Sequence, residues 1–135
     1  MARKAVGVPS KQNEKPALVS ICQSQSADAN SLLKEVLERS GFWKSIEIER
    51  KANKVPKAKF RILIKPDLEV YDLDANTGTD SSLVEHLVDL LFEKGYTNVA
   101  LADGTGQSDL WLENRDPLIL ADLIGYRFET ENGNP

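Results

Sequence analysis

The sequence predicts an α/β domain in which βαβ units build one mostly parallel sheet over residues 17–135, preceded by a basic, flexible arm at 1–16. Three observations carry this reading. Apolar runs rich in β-branched residues alternate with segments whose apolar residues recur at helical spacing. The helical segments carry Asp or Ser in front and Gly behind, the order expected of capped helices. At 135 residues and 41% hydrophobic, the chain has enough apolar material for one closed core.

The elements follow in order. Ala17-Leu18-Val19-Ser20-Ile21-Cys22 is a short apolar run that predicts a buried strand, with Cys22 as a small core hydrophobe. Leu32, Leu33, Val36 and Leu37 form a helical stripe between Asp28 and Ser40, and Gly41 stands where a helix-ending glycine belongs. Ile46 and Ile48 alternate with polar residues, which predicts an edge strand over Trp43–Glu49. Arg50–Lys59 is cationic and broken by Pro56, which predicts a loop. Phe60–Ile64 is the next strand, stopped by Pro66. After the acidic stretch Asp67–Asp80, either Asp80 or Ser82 caps a helix that runs to Lys94, with Ser82 and Glu85 as a candidate capping box and Gly95 closing it. Asn98–Asp103 is a strand leading into Gly104-Thr105-Gly106. Asp116-Pro117 opens a short apolar helix that Gly125 ends. Tyr126–Glu129 alternates like a strand and Asn132-Gly133 suits a tight turn, so the C-terminus reads either as the start of a hairpin in a truncated or minimal domain or as a frayed polar tail.

Several classes fall away. Arg3 and Lys4 are not followed by the apolar core of a signal peptide, and no apolar run is long enough to cross a membrane, so a cytoplasmic protein is expected. One cysteine supplies neither an internal disulfide nor an iron–sulfur ligand set. His86 sits on the polar face of its helix near Asp89 and Glu93 and reads as a solvated surface residue. Trp43 and Trp111 read as core edges or interfaces rather than stacking platforms.

The formal net charge of -4 hides a division. Met1–Lys65 holds 14 Lys/Arg against 6 Asp/Glu, and Pro66–Pro135 holds 3 against 15, so the parts carry +8 and -12. The positive excess includes Arg50, Lys51, Lys54, Lys57, Lys59 and Arg61, a cluster suited to phosphates. With one aromatic neighbour and no recognition motif, it reads more readily as a solvated loop than as a nucleic-acid site.

In open α/β sheets, ligands bind beyond the carboxyl ends of the strands. Two such ends carry suitable groups. Lys65-Pro66-Asp67 leads to Thr79-Asp80 at a helix start, and Asp103-Gly104-Thr105-Gly106 follows the later strand. Lysine and free helix N–H groups suit an anion, glycines let amides approach a phosphate, and Asp67 with Asp103 supplies oxygen ligands for a divalent cation such as Mg²⁺. The alternatives are a solvated lysine, a helix cap and a plain turn. No complete phosphate-loop, dinucleotide, calcium-loop or nucleophile-elbow motif is present.

Ile62-Leu63-Ile64-Lys65-Pro66-Asp67, then Thr79-Asp80, the helix to Gly95 and Val99–Gly104 resemble the "domain of unknown function 362" family. The likeness runs from about Ala17 onward, and it is to the family domain's N-terminal part. It implies an α/β domain found in prokaryotic proteins, often fused to ferredoxin-like iron–sulfur modules, with Lys65, Pro66, Asp67, Thr79, Asp80, Asp103 and Gly104 at its motif positions. Asp67 stands where the family has Asn, and no cluster-binding cysteines follow.

The leading expectation is a small anionic ligand or divalent metal bound at Lys65, Asp67, Thr79, Asp80, Asp103, Gly104, Thr105 and Gly106. The alternatives are an interaction or oligomerisation module whose sheet a partner or second copy completes, and nucleic-acid binding through residues 50–61.

Overall fold

The computed structural model describes residues 18–68, 78–104 and 116–135. Within them the protein is mixed α/β, with four α-helices and a two-stranded parallel sheet. The helices are α1 (Ala29–Arg39), α2 (Phe42–Ala52), α3 (Ser81–Glu93) and α4 (Pro117–Ile124); the strands are β1 (Ile62–Ile64) and β2 (Val99–Leu101). β1, α3 and β2 form one βαβ unit, with Ile62 opposite Val99 and Ile64 opposite Leu101.

α3 is the centre of the packing. Val84, Val88, Leu90 and Leu91 are buried on it, and Tyr96 just beyond it. α1 packs on α2 and α3 and sends Leu37 inward, while α4 contributes the fully buried Leu120. Caps set the boundaries as the sequence indicates. Asp28, Asp80 and Asp116 each accept from backbone N–H groups of the first turn of α1, α3 and α4. Asp80 is the cap of α3, which places Ser82 inside the helix, where its hydroxyl donates to Asp80 at 2.6 Å. Gly125 ends α4 with φ of +95°, a conformation that side chains with a Cβ resist.

Three strand expectations fail. Trp43–Glu49 lies in α2, because its inward residues are Phe42, Trp43, Ile46, Glu47 and Arg50, a helical stripe that leaves Ile48 exposed. Glu47 also accepts from Arg50 at 2.7 and 2.9 Å, a three-residue spacing that the helical turn brings together and an extended strand would not. The cationic segment therefore begins as helix, and its loop is limited to the residues around Pro56 and a 3₁₀ turn at Lys57–Lys59. Leu18–Cys22 lies outside helix and strand and is unpaired among the described residues, with Leu18, Val19 and Ile21 70%, 78% and 81% exposed, so Cys22 is half-buried and outside any core strand.

Tyr126–Glu129 joins no strand, and yet the C-terminus is not frayed. Thr130 N–H donates to Asn134 O at 2.8 Å, Gly133 turns at φ of +76°, and the loop so formed is held on α3. Asp89 is the anchor: its carboxylate accepts from Thr130 Oγ1, Asn132 Nδ2 and Asn134 Nδ2, each at 2.7 Å. Burial pushes the Asp89 carboxyl up and the three donors pull it down, with the donors prevailing. Nearby His86 is half-buried rather than fully solvated.

Candidate functional site

Most of the residues expected to form a site do converge at the carboxyl ends of β1 and β2. Lys65 leaves the end of β1 and its Nζ lies 2.6 Å from Asp103 Oδ1 at the end of β2. The Asp103 side chain is only 3% exposed, and it also accepts from Leu68 N and Gly104 N, both at 2.8 Å. Lys65 beside it holds the Asp103 carboxyl below its usual range, against the upward push of burial. Asp67 and Thr79 are tied by two bonds: Asp67 N–H donates to Thr79 Oγ1 at 2.8 Å, and Thr79 N–H donates to Asp67 O at 2.9 Å. The Ser82 hydroxyl and the first-turn amides hold Asp80 ionised as the cap of α3.

These groups chiefly serve one another. Asp103 pins the chain after β1 to the end of β2, and Thr79 pins the start of α3 to the same turn. A Cβ at Gly78 would come within 3.2 Å of Asp67 O and 3.3 Å of Ile124, so a side chain there would require these neighbours to shift by a few tenths of an ångström. Gly104 has open space around it. Thr105 and Gly106 lie outside the described residues, as do the arm at 1–16, residues 69–77 of the acidic stretch, and Trp111. Among the described residues, no three His, Cys, Asp or Glu side chains cluster as a metal site would require. No described helix is long and apolar enough to cross a membrane.

The feature that sequence reasoning missed lies beside this turn. A groove of about 710 Å³ runs along β2 between α3, α4 and the C-terminal segment. Its apolar wall includes Leu68, Val88, Leu118 and Phe128, and Phe128 is 88% exposed. Five consecutive residues, Val99–Asp103, line it. Side chains alternate between the two faces of a strand, so a groove touching all five follows the strand's edge rather than one face. Hydrogen bonding agrees. Ile62 N–H donates to Asn98 O at 2.9 Å and Ala102 N–H to Ile64 O at 3.0 Å. Asn98, Ala100 and Ala102 therefore direct their backbone groups toward β1, and Val99 and Leu101 direct theirs to the opposite edge. Among the described residues none pairs with that edge.

Tyr126 joins the groove to the turn. It lines the groove while its hydroxyl donates to Thr79 O at 2.9 Å. Burial, with Asp80 and Asp103 nearby, pushes its phenol up to about 12, so it stays a donor at any physiological pH. Among the described residues the rim keeps an acidic excess at Asp122 and Glu129, since Glu85 is bound to the lining cation Arg127 at 2.8 and 3.0 Å and the buried Asp103 is paired with Lys65. The alternation of Tyr126–Glu129 does not mark this wall, since all four residues line the groove.

The cationic cluster is partly spoken for. Arg50 binds Glu47 and Val55 O, and Lys57 Nζ donates to Lys94 O at 3.0 Å above the Tyr96 ring. Arg50, with Tyr96 Oη at 2.8 Å, drives the Glu47 carboxyl down to about 2.

Comparison with known proteins adds no family to this geometry: no family model, no curated protein and no solved structure matches the chain.

Proposed function

We propose that this chain is a binding module whose groove and β2 edge, which no described residue pairs, take up an extended, largely apolar peptide segment flanked by positive charge. The carrying observation is the run Val99–Asp103, whose outward backbone groups face an apolar groove with an acidic rim. An added strand would supply partners to Val99 and Leu101, and its alternate side chains would enter the groove. In this reading the Lys65–Asp103 pair and the Asp67–Thr79 bridge act as a buttress that fixes the groove's end.

The test is an NMR titration with an acetylated peptide of alternating Val and Ser between terminal Lys pairs. Amide shifts at Val99–Asp103 and Phe128, absent in the Leu101→Lys variant, support the reading. No shift at these positions overturns it.

The convergence of Lys65 and Asp67 with Thr79 and Asp103 favours a second reading, a small anion or divalent cation bound at the strand ends. It requires that Mg²⁺ or inorganic phosphate shift the amides of Lys65, Asp67 and Gly104 and raise the melting temperature. An unchanged spectrum with both rejects it.

A further inference from the structure

Three exposed apolar residues at the other end of the described chain match the groove. Leu18, Val19 and Ile21 are 70%, 78% and 81% exposed in a segment outside helix and strand that forms no backbone hydrogen bond among the described residues. Alternating Val19 and Ile21, with β-branching at both, suit a strand added at an edge. Charge agrees as well. The residues just before this segment carry Arg3, Lys4, Lys11 and Lys15 against Glu14, while the described rim keeps Asp122 and Glu129 after Arg127 pairs with Glu85 and Lys65 with Asp103. An apolar segment behind a basic stretch fits an edge groove with an acidic excess.

In its own molecule the segment stands outside the groove, so a second molecule is the natural supplier. We infer that Leu18–Cys22 of one copy adds as a strand to the β2 edge of another, which no described residue pairs, with Val19 and Ile21 covered in the groove. This rests on the reading of the groove as a peptide site and names its occupant as a second copy of this chain. A closed two-fold dimer follows if both copies exchange segments, since the same two surfaces then meet twice. Each strand is short, so association is expected across roughly micromolar to sub-millimolar concentrations. High salt weakens it by screening the rim, without abolishing the apolar part.

Two measurements on the full chain test this. Light scattering over that concentration range should show the mass rising from 15.0 kDa toward twice that value. Ile21→Lys and Leu101→Lys should each hold the mass at one chain, with circular dichroism unchanged. A strictly monomeric wild type, or a dimer indifferent to both substitutions, overturns the inference. The single Cys22 provides the second measurement. A nitroxide on Cys22 of one chain is mixed with ¹⁵N-labelled Cys22→Ser chain, and line broadening is expected at Val99–Asp103 and Phe128. Broadening confined to other positions, or no broadening, refutes exchange between copies. The Val/Ser peptide titration separates the two claims: a monomeric protein that still binds the peptide retires the dimer and leaves the groove reading standing.

Discussion

Asp103 and Asp89 are carboxylates that the fold has taken out of solvent, and each ties a distant segment to the βαβ unit. The Asp103 carboxylate receives Lys65 and two backbone amides; Asp89 receives three side-chain donors from the last turn. Asp103→Ala leaves the Leu68 amide without its acceptor and should cost about 2 kcal/mol in denaturant melts. Lys65→Ala should cost less than about 1 kcal/mol, because the lysine side chain is 70% exposed and Asp103 keeps its amide donors. Equal losses in the two variants would contradict the buttress. Asp89→Ala should cost about 2–3 kcal/mol and free the C-terminal loop, seen as faster exchange of the Thr130 amide. Both carboxyls lie below their usual value in the folded protein. The stability they confer is therefore complete above the unfolded carboxylate range near pH 4 and is lost as pH falls through the folded values. The melting temperature should fall below about pH 4 in the wild type, and less steeply in Asp89→Asn.

At the scale of elements, the capping signals were the most legible part of the chain. Asp28, Asp116-Pro117, Gly41 and Gly125 announce helix ends through local hydrogen bonds and backbone conformation, which need no tertiary partner. Gly125→Ala should cost about 1 kcal/mol, since it forces a Cβ into φ of +95°, 3.3 Å from Ser81 Oγ. Thermal denaturation checks this, and a neutral result would mean the turn relaxes. The strand expectations failed for a different reason. Two-residue alternation over four to seven positions is too short to outweigh competing signals, and at Trp43–Glu49 the Glu47-to-Arg50 spacing decided for helix. At Leu18–Cys22 and Tyr126–Glu129, strand chemistry is present but no described strand lies alongside. A strand depends on its neighbour, which the residues themselves do not name.

Across the whole molecule, the change of charge sign at Lys65–Pro66 has a structural counterpart. Lys65 is the last cation of the positive part, and it pairs with Asp103 from the negative part across the end of the sheet. The convergence of Lys65, Asp67, Thr79 and Asp103 was readable from strand-end positions. The groove beside them was not, because it is made by surfaces from α3, α4 and the C-terminal segment that meet only on folding. The exposed Leu18–Ile21 segment and the acidic groove extend the same asymmetry from within one chain to a contact between two. Salt should therefore loosen self-association while leaving the fold intact, readable as a lower mass with unchanged circular dichroism.

Amide exchange along β2 reports the open edge most directly. Ala102 donates to Ile64, and Ala100 faces β1 in the same register, so both amides should be protected at every concentration. Val99 and Leu101 should exchange quickly in dilute protein and slow at least tenfold when the Val/Ser peptide is added or the protein is concentrated. Val99 and Leu101 amides that are protected in dilute protein, or that stay fast under all these conditions, would contradict an edge built to receive a strand.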